Sequence, residues 1–151
     1  MDTREAILDR LVAIAGDVAG IRKVFRNMSS PDETDLPAII VLDADEGADE
    51  GDPPGRGPLA PRRMIMTPQL FVVLPEAVKS IGTVLNGYRA ELIDAVATDA
   101  TLTAMTTNGL GARLLASQTS LAWGRSMMGE MGMSFSIPYI LFPGRVVDGT
   151  I

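Results

Sequence analysis

From Met131 to Phe142 the chain alternates strictly. Met131, Met133, Phe135, Ile137, Tyr139 and Leu141 fall on one side, and Gly132, Ser134, Ser136, Pro138, Ile140 and Phe142 stand between them. Successive side chains of an extended strand point to opposite faces, so this pattern demands a sheet with one tightly packed face. A second extended run, Arg113 to Trp123, precedes it, with Gly124 and Gly129 bracketing a turn. The C-terminal third therefore reads as a β-hairpin. Pro138 has no N–H for a ladder, which argues that its strand lies at a sheet edge or is bulged there. The tail from Gly144 onward carries no pattern and is expected to be loose.

Helical periodicity dominates two other segments. From Thr3 to Ala15, Ile7, Leu8, Leu11, Val12 and Ile14 cluster on one side, with Asp2 as a cap and Glu5 as its capping-box partner. Val78 to Ala97 keeps steps of three or four through Val78, Ile81, Leu85, Tyr88, Leu92 and Val96. Gly82 and Gly87 interrupt that helix at a cost of about 1 kcal/mol each relative to Ala, which hints at a close neighbouring backbone. Asp99 is placed to cap a short turn containing Leu102 and Met105. Ile21 to Asn27 is a short strand candidate. Ala38 to Leu42 and Leu70 to Leu74 are apolar runs of buried-strand type, and Pro68 places an edge or a bulge at the approach to the second. Clustered strands with helices between them predict an α+β fold: one mainly antiparallel, mixed sheet with helices packed on one face. At 151 residues this is one domain, residues 1–151.

The segment from Asp43 to Pro61 breaks every period. Its first half carries six acids in ten residues (Asp43, Asp45, Glu46, Asp49, Glu50 and Asp52), and its second half is dense in Pro and Gly. The composition predicts a long solvated loop joining two strands. With almost no apolar residues to bury, removal of Ala44 to Gly57 is expected to leave the fold intact.

Composition closes off most chemistry. The sequence has no Cys and no His, which removes disulfides, thiol catalysis, thiolate metal sites and the commonest general base. A calcium loop counted from Asp43 puts Ala48 at its sixth position and Pro54 at its twelfth, where Gly and Glu are required. Gly55 to Ala60 matches a dinucleotide fingerprint formally, but without a preceding strand and a following helix. Gly124-Arg125-Ser126 opens like a nucleophile elbow, lacks the closing Gly, and has no His to complete a triad. The net charge of −6 offers no basic footprint for nucleic acid. No apolar run approaches the ~18 residues of a membrane span, and the charged stretch Met1 to Glu5, with no apolar core after it, is not expected to act as a secretory signal. The chain is expected in the cytoplasm, or in an assembly built there.

Taken in order, several segments form a familiar series. Leu36-Pro37-Ala38-Ile39-Ile40-Val41-Leu42 precedes the acidic segment, and Pro68-Gln69-Leu70-Phe71-Val72 follows it. Ile81-Gly82-Thr83-Val84-Leu85-Asn86-Gly87-Tyr88-Arg89 comes next, then Asp99-Ala100-Thr101-Leu102. Gly124 to Phe135 leads into the alternating strand. The series resembles the tail terminator, or tail completion, family of minor tail proteins of long-tailed bacteriophages. The resemblance covers nearly the whole chain by order of elements. It implies a homohexameric ring on the head-proximal end of the tail tube, which stops polymerisation and offers a docking face to the head–tail connector. It also implies a virion-tail location in the neck region after assembly in the host cytoplasm. DNA would be only passing cargo, and no catalytic residue, cofactor, metal or membrane would be involved.

Two sets of residues then carry expectations. Met127, Met128, Met131 and Met133 suit either ordinary core filling or a subunit contact. With Phe135 and Pro138 on the supposed edge strand, they form the candidate ring interface. Asp43, Asp45, Glu46, Asp49, Glu50 and Asp52 are the candidate tube- or lumen-facing acids. They would either block stacking by like-charge repulsion or let DNA slide past. The competing readings are a tube subunit or head–tail connector and, from another class, a small-molecule-binding or hydrolytic α+β domain.

Overall fold

The computed structural model describes residues 2–28, 30–75, 79–121 and 129–144. The alternating segment forms β5 (Gly129–Leu141), in which every odd-numbered residue from Gly129 to Tyr139 is buried and the even-numbered ones are half-buried. It belongs to a five-stranded sheet with β1 (Lys23–Arg26), β2 (Ala38–Ala48), β3 (Arg62–Leu74) and β4 (Arg113–Leu121), ordered β1-β2-β3-β5-β4. β1 runs parallel to β2, and the other neighbouring pairs are antiparallel. Helices α1 (Thr3–Gly16), α2 (Ile81–Thr98) and the short α3 (Ala100–Ala104) complete an α+β fold.

One core cluster joins α1 and α2 to one sheet face. Ile7, Leu8 and Leu11 from α1 meet Leu85, Leu92 and Val96 from α2 over Ile39, Val41, Leu70, Val72, Phe135 and Ile137. The reverse face carries only a small apolar strip: Leu36, Ala38, Ile40 and Val73, flanked by Phe25, Leu42 and Phe71. The parity of β2 and β3 sets this division, because successive residues leave a strand on opposite sides. Only 5% of the residues are aromatic, so the packed face is built mainly from aliphatic and Met side chains.

The caps follow from local chemistry. The Asp2 carboxylate accepts from Glu5 N–H at 2.7 Å, and Asp99 accepts from Leu102 N–H at 2.8 Å. The capping box at α1 is only half made, since the Glu5 carboxylate turns away to Arg26. α2 begins at Ile81, and the expected start at Val78 lies outside the described residues.

Three expectations need correction. The acidic stretch is not a loop from Asp43 onward. β2 continues to Ala48, with Glu46 paired to Met66 and Ala48 to Met64, so the connection to β3 starts only at Asp49. Pairing with β3 and the cations described below override the poor strand propensity of these residues. Secondly, β5 is not an edge strand, because β3 and β4 flank it. Pro138 is tolerated because β4 pairs no further than Arg113 opposite Ser136, leaving that side of β5 open beyond it. Thirdly, Gly82 and Gly87 touch nothing: a Cβ on either would find open space. The close approach is real but belongs to Gly129, where a Cβ would lie 2.5 Å from Ile81 and 3.2 Å from Leu85. The glycine that lets α2 down onto the sheet is in the strand.

A bulge in β2 resolves the other proline. Leu42 pairs with Gln69 and Asp45 with Thr67, so β2 carries one extra residue, and Ala44 takes a φ of 54°. Pro68 sits opposite this break, and the β3–β5 ladder also steps from Met66 directly to Gln69. Neither neighbour needs the N–H that Pro68 lacks.

Candidate assembly interface

Most of the acidic residues have internal work. Arg26 at the end of β1 donates from Nε and Nη2 to the Asp43 carboxylate at 2.8 and 3.0 Å. Its Nη1 and Nη2 also donate to the Glu5 carboxylate of α1, the latter at 2.9 Å, and Asp9 stands 3.5 Å away. The Arg26 guanidinium holds the Glu5 and Asp43 carboxyls below the usual carboxylate range. Arg4 Nη2 donates to the carbonyl of bulged Ala44 at 3.0 Å, and its Nε lies 3.4 Å from Glu46. Glu46 accepts from the Tyr139 hydroxyl at 2.6 Å. Burial first, and this hydrogen bond second, push the Tyr139 phenol well above its ordinary value. Asp43 and Glu46 therefore bolt the N-terminal end of α1 to the bulged strand.

Further out, Asp52 accepts from Arg63 N–H at 2.9 Å and Arg62 Nε at 2.6 Å, which hold its carboxyl below the usual range. Asp49 accepts from Gly51 N–H at 2.9 Å. Of these six acids, only Asp45 and Glu50 have carboxylates with no hydrogen bond or ion pair among the described residues; the Asp45 main-chain carbonyl accepts from the Thr67 hydroxyl at 3.0 Å. The outer parts of β2 and β3, with residues 49–61 between them, thus form an arm with a braced base. At its tip a turn closes from Gly57 to Ala60, with Leu59 75% exposed. Gly55 to Ala60 leads into β3 and not into a helix, which leaves the dinucleotide fingerprint without its context.

The expected ring interface is also redistributed. Met131, Met133 and Phe135 are 2%, 1% and 1% exposed and belong to the main core. They offer nothing to a second molecule. Met127 and Met128 lie outside the described residues. Pro138 is half-buried on the reverse face. The alternation that revealed β5 also says which residues are covered, since its large members point under the helices.

What this part of the fold does expose is β4. It is an outer strand of nine residues, and all from Leu115 to Ser120 are exposed. Arg113 is its only charged residue, and it contains no proline. Natural edge strands are usually blunted by charge, proline or shortness, and this one is blunted only by a shift of register between Leu114 and Ala116. Beside it, on the reverse face, runs a shallow groove of about 260 Å³ lined by Gln69, Phe71, Gln118, Ser120, Glu130 and Ser134. The Phe71 ring lies across Gly132, where a Cβ would come within 2.7 Å of it. Sequence reasoning missed this edge; the available signal was a near-neutral run of strand length preceding the alternating one.

A second depression lies between the C-terminal end of α1 and the outer side of α2. It measures about 340 Å³, has Ile14, Val18 and Ala95 in its walls, and is rimmed by Asp17, Glu91 and Asp99. Asp99 is engaged by Arg10 at 2.6 and 2.9 Å, which holds its carboxyl below the usual range.

Among the described residues no group of three or more acids is arranged to hold a metal ion, and no helix is long and apolar enough to cross a membrane. No protein-family model matches the sequence, and a search of curated proteins finds no match.

Proposed function

We propose that this chain is a non-catalytic structural subunit of a long-tailed phage, a tail terminator that forms a ring on the head-proximal end of the tail tube. The order of motifs along the sequence motivates the reading. The observation that carries it is the β4 edge, unpaired among the described residues, an extended strand whose one charge is Arg113 and which invites pairing with another chain. Ring formation requires a head-to-tail interface that closes on itself, and a fold with two dissimilar outer strands, β1 and β4, has the asymmetry this needs. The supporting residues differ from those the hairpin first suggested: Leu115, Gln118, Thr119 and Ser120 replace the core methionines. The stacking or lumenal role of the acids falls to Asp45 and Glu50, since Asp43, Glu46, Asp49 and Asp52 are engaged within the chain. In this reading the tube protein and the head–tail connector are the partners, DNA passes without being held, and no cofactor takes part.

Native mass spectrometry and negative-stain microscopy test the proposal. Closed six-membered rings that cap tail tubes are the expected result, and Thr119→Pro in β4 should abolish them while leaving a folded monomer. Long tubes of this chain alone would favour a tube subunit. A chain that stays monomeric beside tail tubes would sink both readings.

A further inference from the structure

We infer that the tip of the β2–β3 arm of one copy seats in the acidic depression between α1 and α2 of a neighbouring copy. This deepens the proposed ring by naming a second contact in it, but it needs only self-association and not the phage reading.

The two surfaces complement each other. The arm tip, residues 53–61, contains one cation, Arg56, and no acid. Arg56 makes no hydrogen bond or ion pair among the described residues. Next to it Leu59, the most exposed large apolar side chain described, is held outward by the turn that closes from Gly57 to Ala60. The depression supplies the opposite features. Its walls include Ile14, Val18 and Ala95, while the rim carboxylates of Asp17 and Glu91 are exposed and make no hydrogen bond or ion pair among the described residues. Its one cation, Arg10, is hydrogen-bonded to Asp99 and keeps only a longer-range attraction to Asp17. An apolar residue beside a cation, entering a cleft of mixed apolar and acidic lining, gains area burial and charge pairing together.

The occupant must come from another molecule. Arg4, in the first turn of α1, contacts Ala44 and Glu46 at the base of the arm, whereas Gly16, at the other end, faces Val24 of β1. The depression is built on that far end. Fourteen residues of helix span about 21 Å, and the arm extends away from the depression, so no chain reaches its own. A contact between opposite ends of two identical molecules is head-to-tail, the kind that propagates or closes.

The absence of cysteine from the sequence permits a direct test. The double variant Leu59→Cys/Ala19→Cys changes two exposed positions, one on the tip and one lining the depression. Under mild oxidation it should yield a ladder of covalent oligomers on non-reducing gels. Adding Arg56→Glu should abolish the ladder, and adding Glu91→Arg to that variant should restore it. The control Leu110→Cys/Ala19→Cys, with Leu110 71% exposed elsewhere, should give none. No ladder from the tip variant, or an equal one from the control, overturns the inference. Microscopy of the unmodified protein separates the two proposals: rings without cross-links remove only this contact, and cross-links without rings remove only the terminator.

Discussion

Arg26 makes more side-chain hydrogen bonds than any other residue among those described, since its one guanidinium serves carboxylates from α1 and from β2. Arg26→Ala leaves Glu5 and Asp43 facing one another unpaired. Hydrogen bonds to charged groups are worth about 1.5–3 kcal/mol, and partial exposure of the cluster discounts this. A loss of about 1–2 kcal/mol in urea unfolding is expected, partly recovered by adding Glu5→Gln, which removes one of the stranded charges. The same residues set the pH response. Glu5, Asp43, Asp52 and Asp99 all titrate lower in the fold than in the open chain. Their stabilisation is complete above the open-chain value of about 4 and is lost as pH falls through the folded values. Tyr139 acts in the opposite sense: its phenol is raised, so its contribution holds below about pH 10 and is lost above it. The sequence has neither His nor Cys, the side-chain types that ordinarily titrate between about pH 5 and 9. The urea midpoint should be flat from about pH 5 to 9 and fall on both sides. A step near pH 6–7 would contradict this.

Glycine effects belong to the elements. Gly129→Ala drives a methyl group into Ile81 and Leu85, both buried, and should cost about 1–3 kcal/mol by overpacking the contact of α2 with β5. Gly87→Ala meets open space on the outer face of α2 and should stabilise by about 1 kcal/mol. Thermal unfolding of the two variants gives opposite signs if the helix–sheet seam is as described. The pair also shows where sequence patterning works and fails. The odd-numbered side of β5 is legible because burial imposes a period of two on the residue types. Glycine in α2 is not interpretable alone, since its reason can lie on either partner of a contact, and here it lies in the strand. The outer half of β2 was illegible for a related cause. Asp43 and Glu46 look like loop residues until Arg26, Arg4 and Tyr139 are brought beside them by chain far away in sequence. The expected interface residues were misplaced for the same reason: Met131, Met133 and Phe135 are chemically suited to an interface, but the helices already cover them.

For the whole molecule, the division between scaffold and appendage now falls at the arm tip. Replacing residues 53–60 by a two-residue turn should leave cooperative urea unfolding unchanged, because nothing there joins either apolar cluster. The larger cut, Ala44 to Gly57, removes the outer half of β2 and the Glu46 partner of Tyr139. It should lower the unfolding midpoint, contrary to what composition suggests. The bulge at Ala44 gives this architecture a phase. Upstream of it odd-numbered residues of β2 face the helices, and downstream even-numbered ones do, with Glu46 turned to Tyr139 and Asp45 turned away. Loss of that single codon would reverse the sidedness of everything between Asp45 and Ala48 while leaving every residue type in place. The spare and the engaged carboxylates would trade roles. The arm's chemical polarity is thus written in the count of residues as well as in their identity, and a lineage could invert it by one in-frame deletion.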